Sequence, residues 1–499
     1  MYFRRKLFAT TALIAAGLLS AATVSAQTTG PQGGAVAAGS ASIAQSGRHT
    51  TITQSSAKAI VEWRSFDVDA GASVQFIQPG RDSIALNRVR EGGASRIDGS
   101  VSANGQIYVV NPNGVLIGPT GRINAAGFVA STHDVRNQDF MAGKMDFSVT
   151  SPNAAARVRN EGVIAAGDGG YAVLAGSRVE NAGVITARVG QVGLAGGDAV
   201  ALDVVGDRLL QFQVTKPVSR DPGGAVVSNS GTLSAPGGVV TLTAQAARNV
   251  IRDVINTTGV IEAQGATVEG GRVIIHGGES GTVQVGGSID VGNANGIGGQ
   301  VDVRGEKVGL IDGAKIDASG AKGGGTVLIG GDWQGKGPGM TAQVAYVAPT
   351  ASITVDATQT GDGGKAVVWA DDTTRFNGSI SAQGGAQRGD GGQVETSGKR
   401  ALAVGPTAAV TTAARAPKAK PGAWLLDPTD ITISAGGGVT SITSPYAPGG
   451  TSSVTPGAIT AALATGAVTI QTGDGTITVA SPISYAGAAS SLTLTAGLD

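Results

Sequence analysis

Beyond position 30, valine and isoleucine alternate with small or polar residues in short runs, and glycines interrupt nearly every run. Alternation sends successive side chains to opposite faces, so runs such as Val273-Ile-Ile275 and Ile353-Thr-Val-Asp-Ala357 read as short, half-buried strands separated by turns. No stretch after residue 27 has the apolar spacing of an amphipathic helix, and the fold class predicted is all-β. A disordered glycine-rich chain is the competing reading. A hydrophobic content of 41% argues against it, because disorder needs far less apolar surface.

The runs also repeat. A unit of the form Ile/Val-x-Ala-x-Gly followed by Gly-Gly-x-Val recurs as Ile261…Gly270-Gly271…Val273, Ile289…Gly298-Gly299…Val301, Ile316…Gly324-Gly325…Val327 and Ile380…Gly391-Gly392…Val394. Val273, Val301 and Val327 stand 28 and 26 residues apart, and Tyr171-Ala-Val-Leu-Ala-Gly176 returns 20 residues later as Gln191-Val-Gly-Leu-Ala-Gly196. Periods of this length, built from strand and turn, predict a solenoid whose units bury their apolar faces only against their neighbours. With no helix in the unit, a parallel β-helix is expected, with inward Val, Ile, Leu and Ala columns and glycine permitting the bend at the corners. At about 22 residues per rung, residues 50–415 would form roughly 16 rungs and a rod of about 80 Å. The stretch from about Gln32 to Arg64 is the candidate N-terminal cap for the rod's open edge.

Arg4, Arg5 and Lys6 precede an apolar stretch from Leu7 to Val24, and Val24-Ser-Ala26 precedes Gln27. Basic, apolar and small-x-small segments in that order read as a secretory signal peptide cleaved between Ala26 and Gln27. A membrane anchor is the alternative, disfavoured because Ala, Thr and Gly dilute the run and because spanning needs about 20 apolar residues. At Ala414-Arg-Ala-Pro-Lys-Ala-Lys-Pro-Gly422 two prolines and three cations interrupt the Gly-Val rhythm, which reads as a linker. The expected division is 1–26 signal peptide, 27–270 N-terminal domain, 271–413 repeat shaft, 414–422 linker and 423–499 a further repeat segment. Because no capping segment follows its last strand, the chain reads as the early part of a longer protein.

The 36 basic and 36 acidic residues cancel, so nothing electrostatic points to nucleic acid or anionic lipid. Charged residues are 14% of the chain against about 25% in ordinary globular domains, which predicts a surface of Ser, Thr, Asn, Gln and Gly. Cysteine is absent although an exported chain meets an oxidising compartment. A crosslink formed early would obstruct further passage of an unfolded chain, and the absence of cysteine fits passage beyond that compartment. His49, His133 and His276 are far apart, without acidic neighbours at metal-ligand spacing, so neither a catalytic nor a metal site is expected. No phosphate-binding glycine loop is present, and no cofactor is predicted. Arg388-Gly-Asp390 could be an adhesive tripeptide, but Gly-Asp-Gly-Gly also occurs at 167–170 and 361–364, so Asp390 is read as a turn former. Trp63, Phe66 and Phe76 are read as core or cap residues.

One turn carries more information than the repeats. Asn111-Pro112-Asn113-Gly114 lies between the apolar runs Ile107–Val110 and Val115–Ile117, where proline fixes φ and Asn-Gly accepts positive φ. Around it, in order, stand Trp63-Arg-Ser-Phe-Asp-Val-Asp69, Val74-Gln-Phe-Ile-Gln-Pro79, Ala85-Leu-Asn-Arg-Val89 and Phe128-Val-Ala-Ser-Thr132. Together these resemble the secretion domain of the filamentous haemagglutinin family, the exoproteins of two-partner secretion, and especially its high-molecular-weight adhesin branch. The resemblance extends to about Asp203, and Trp424-Leu-Leu-Asp-Pro-Thr-Asp-Ile-Thr-Ile433 also looks like a segment of such exoproteins. It implies a right-handed β-helix and recognition in the periplasm by an outer-membrane β-barrel transporter with POTRA domains. It further implies a role for Asn111, Pro112, Asn113 and Gly114 in that recognition, and a secreted or surface-attached product. Adhesion or haemagglutination, with host glycans or receptors as partners, would be the activity of the whole protein. A β-helical carbohydrate-active enzyme, a contact-dependent toxin stalk and a haem-capturing exoprotein are the alternatives.

Overall fold

A computed structural model describes residues 30–204, 210–265, 270–437, 444–487 and 490–497. The expected signal segment, with Ala26 and Gln27, lies outside them. Short parallel strands stack in three ladders, two within one 28-stranded sheet and the third forming a 14-stranded sheet, so a typical rung contributes three strands to a parallel β-helix. The repeats mark the register. Ile261, Ile289, Ile316, Ile353 and Ile380 lie directly above one another. Val273, Val301 and Val327 do the same in the second ladder, and Tyr171 sits on Gln191. All of the stacked isoleucines and valines are at most 1% exposed, because a residue period of two keeps each column on the inner face of its sheet. In the third ladder, buried Asn160 donates to Asn181 (2.8 Å) and Asn181 to Asn229 (2.8 Å), so inward amides satisfy one another up the column.

Glycine at the repeat corner has a different reason from the bend expected. Gly299, Gly325, Gly364 and Gly392 each bring the Cβ position to 2.1–2.3 Å from the carbonyl oxygen of the equivalent glycine one rung earlier. No side chain fits between rungs there. In the expected outcome, Gly325→Ala displaces the backbone against Gly299, costs about 1–3 kcal/mol and speeds amide exchange in Gln300–Arg304 and Thr326–Ile329, while rungs farther along keep their protection.

The rod is shorter than expected between its first central strand and residue 415. From Lys58–Trp63 to Gln393–Gly398 the central ladder holds twelve strands, which at ~4.8 Å spans about 55 Å. Residues go instead into longer rungs and into insertions that leave the helix. One insertion, around 330–340, folds back over the outer sheet face. There Lys365 pairs with Asp332 at 2.6 Å and the Gln334 N–H donates to Glu395 at 2.8 Å. Burial pushes the Glu395 carboxyl up to about 7.

Residues 32–65 cover the N-terminal end with antiparallel pairings, Ala35–Ala38 on Lys58–Trp63 and Ala41–Ser46 on His49–Gln54. The 414–422 segment is a corner loop held by Arg415 to the Gly384 carbonyl (2.7 Å) and by the Lys420 N–H to Asp390 (2.8 Å), and Ala423 pairs with Gln393 beyond it. The Asp390 N–H donates to Asp362 at 2.8 Å, so the Gly-Asp turns stack like the strands, leaving Arg388 exposed. Two short helices, Asn137–Ala142 and Pro456–Leu463, do not follow from the strand alternation. The second had a readable start, since Thr455 caps the Ala458 N–H and Pro456 occupies the first turn.

Candidate functional site: the Asn111 turn and its supports

The turn is tied on both sides. The Gly114 N–H donates to the Asn111 carbonyl at 3.0 Å, closing a β-turn, and Asn111 Oδ1 accepts from the Asn113 N–H at 2.9 Å. Gly114, at φ 119°, is the residue that uses the left-handed region. Asn113 is absent from the positive-φ residues, so the Asn-Gly pair does not share that task as the sequence had implied. Downward, Asn111 Nδ2 donates to the Gly93 carbonyl and to Ser95 Oγ, both at 3.0 Å, and Asn113 Nδ2 donates to the Gly92 carbonyl at 2.8 Å. Upward, the Pro112 carbonyl accepts from Ser151 Oγ at 2.5 Å and the Val115 N–H donates to the Arg157 carbonyl at 3.0 Å.

Asn111 is 0% exposed, whereas Pro112 and Asn113 are half-buried. Outside the turn a cavity of about 690 Å³ is lined by Asn113, Gly114, Arg96, Arg157 and Arg159 among others. Its guanidiniums are largely spent on neighbours. Arg96 pairs with Asp98 at 2.5 Å, and Arg159 with Glu180 at 2.6 Å and Glu161 at 2.7 Å.

The motifs flanking the turn converge around it in ways their spacing does not show. Trp63 Nε1 donates to Asn87 Oδ1 at 3.0 Å, joining two of them through the core. Phe76 packs inside and Gln78 Nε2 donates to the Ser83 carbonyl (3.1 Å). Arg88 is 2% exposed and spends its guanidinium on the Asp134 carboxylate (2.8 Å), Asn137 Oδ1 (2.5 Å) and the Val135 carbonyl (2.6 Å), with Glu62 at 3.4 Å. These contacts anchor an insertion comprising the helix Asn137–Ala142 and a three-stranded antiparallel sheet of Met145–Phe147, Ala199–Val204 and Leu210–Lys216. Beneath the insertion a second apolar core forms, with Leu86, Tyr108, Val129, Phe140 and Phe147 fully buried or nearly so. The Tyr108 hydroxyl bonds that of Tyr171 at 2.6 Å, and burial pushes its pKa up to about 12. Sequence reasoning missed Arg88 as an anchor. The signal present was a cation inside a strand, Ile84–Val89, whose only other polar residue is Asn87.

Of the three histidines, His133 is fully buried and bonds the Gly197 carbonyl at 2.7 Å. Among the described residues no group of three or more His, Asp or Glu side chains is placed to hold a metal ion.

The profile of the TPS secretion domain matches residues 26–291, more than half of the chain. The chain belongs to the TPS secretion domain family. The crystal structure of the HMW1 secretion domain from Haemophilus influenzae superposes with a TM-score of 0.69 at 32% identity, covering 80% of this chain and all of that one. Two heme/hemopexin-binding proteins of Haemophilus influenzae are similar in sequence, one 43% identical over 105 residues and the other 47% identical over 85. The first match takes in 21% of this chain and 12% of that relative, and the second 17% and 9%, so the secretion-domain protein spans only a small part of the length of the curated relatives it matches. The secretion domain makes this a two-partner secretion exoprotein, exported to the cell surface or beyond.

Proposed function

We propose that the secretion domain is recognised in the periplasm by a cognate outer-membrane β-barrel transporter with POTRA domains, and that Asn111-Pro112-Asn113-Gly114 is read there before the surrounding rungs close. The observation carrying this reading is the complete burial of Asn111: its amide is spent on Gly93, Ser95 and Asn113, and a partner can reach it only while the strands above and below are unstacked. Isolated transporter periplasmic domains should therefore capture freshly diluted, urea-unfolded protein and leave the folded protein in solution. Equal capture of both forms would refute the order of events. The boundaries 27–270 and 271–413 remain the proposed division into secretion domain and shaft, with the corner loop 414–422 joining the shaft to the repeat segment beyond it.

Export begins with removal of the signal segment. Mass spectrometry of the secreted protein should place its first residue at Gln27, and a retained Met1 end would contradict cleavage after Ala26.

For the whole protein, adhesion at the cell surface is the proposed activity, with host glycans or receptors as its targets. A second reading, haem or hemopexin capture, is favoured by the names of the two curated relatives. Haem titration followed by absorbance, alongside cell-binding assays, separates the two.

A further inference from the structure

The antiparallel insertion ends on a strand with one unpaired edge among the described residues. Leu210–Lys216 pairs with Ala199–Val204 on one side and with no strand on the other, among the described residues. Phe212 holds it down, its ring lying where a Cβ on Gly193 would meet it at 2.5 Å. Beside it runs a trough of about 510 Å³. One wall is formed by four consecutive residues, Gln211, Phe212, Gln213 and Val214, and consecutive lining means that the trough follows the strand's backbone edge rather than one of its faces. The floor is lined by alternate residues of the neighbouring helix strands, Thr241 and Thr243 on one and Arg272, Ile274 and His276 on the next, so it is a single sheet face. Four residues of edge extend about 13 Å at ~3.3 Å each, enough to register a short strand.

The floor carries the chemistry that selects an occupant. Arg272 is exposed and has no ion pair among the described residues. His276 Nδ1 accepts the Gly278 N–H at 3.2 Å, so the neutral ring carries its proton on Nε2 as a donor. On the following strand Asp302 is paired with Arg304 at 2.5 Å and does not cancel Arg272. Ile274, half-buried between Arg272 and His276, supplies an apolar centre. Natural sheets guard exposed edges with lysine, proline, bulges or covering loops; here Lys216, Pro217 and a register shift opposite Ala199–Val200 gather at the far end of the strand, and Gln211–Val214 carries none of these guards.

We propose that this trough receives an extended strand of a partner polypeptide, paired through its backbone to the edge at Gln211–Val214, with acidic side chains toward Arg272 and His276 and an apolar one on Ile274. Main-chain pairing supplies affinity and the alternating floor supplies selectivity.

The folded, full-length chain is titrated with acetyl-Thr-Glu-Thr-Val-Thr-Glu-Thr-amide, read by fluorescence anisotropy and by amide exchange. Saturable binding should slow exchange at 211–216, and methylating alternate backbone nitrogens of the peptide should abolish it. Arg272→Glu, an exposed change that leaves the core intact, should weaken binding about tenfold at low salt, with the difference shrinking as salt rises. No binding at millimolar peptide, or binding indifferent to N-methylation or to Arg272→Glu, would overturn the proposal. Protection of the same amides by polygalacturonate and not by the peptide would also overturn it and assign the trough to an acidic polymer.

Discussion

Arg88→Met detaches the antiparallel insertion while leaving the β-helix standing. The Arg88 side chain is 3% exposed and its guanidinium meets Glu62 on one strand and Asp134, Val135 and Asn137 in a second stretch of the chain. Methionine keeps the apolar stem but takes a donor from the Asp134 carboxylate, the Val135 carbonyl and Asn137 Oδ1, while Glu62 retains Arg90. Breaking a buried pair costs about 3–5 kcal/mol, and the lower end applies because Asp134 and Glu62 keep 21% and 30% of their side-chain surface in water. The loss falls on the second core, so limited proteolysis should open first between residues 132 and 157, and protection of Phe140 and Phe147 should fall before that of Val273 or Val301. Arg90→Ala is the control. It also pairs with Glu62, but its side chain is 49% exposed, and a change of at most about 1 kcal/mol is expected. Equal effects from the two arginines would show that burial does not set the cost.

Export by Asn113→Ala should fall sharply although the purified protein remains folded. Asn113 gives up one hydrogen bond, to Gly92, at a half-buried position, for about 1 kcal/mol. Asn111→Ala is costlier, because the Gly93 carbonyl and Ser95 Oγ lose a donor at a fully buried site, each at about 1–3 kcal/mol. If the turn acts only as structure, export should track stability, and Asn111→Ala should fail while Asn113→Ala passes. If the turn is read by the transporter, both precursors should accumulate or be degraded in the periplasm with the transporter present, whatever their difference in stability. Quantitative immunoblots of periplasm and medium, beside denaturant melts of both purified proteins, decide. Normal export of Asn113→Ala would exclude a recognition role for its side chain.

Much of the fold was legible because a solenoid writes its contacts into its period. The Ile261, Ile289, Ile316 and Ile380 repeats and the Val273, Val301 and Val327 spacing lie in the register that stacks them. The Asn111 turn was legible as a turn because proline and glycine constrain φ locally. Its burial was not, because that depends on Gly93 and Ser95 in the preceding rung and on Arg157 in the following one.

By itself the sequence determined the inward columns, the strand-and-turn unit, the turn at Asn111–Gly114 and the order of motifs that marks a secretion domain. The first three rest on residue type and on spacings no longer than one rung, and the motif order, which runs from Trp63 to Thr132, is read as a sequence of short local signals. Tertiary structure alone decided the rest. Insertions set twelve central strands where a uniform period gave sixteen rungs, since length per rung varies freely wherever the extra residues leave the helix. Carbonyl-to-Cβ distances of 2.1–2.3 Å, rather than the bend, set the glycine requirement at the repeat corners. Arg88 became an anchor only by meeting Asp134 and Asn137, 46 and 49 residues away. The free edge at Gln211–Val214 came to face Arg272 and His276 only when the insertion folded back onto the sheet. Contacts across such separations depend on where the connecting chain leaves and rejoins the rod, and no periodic pattern in the residues encodes that.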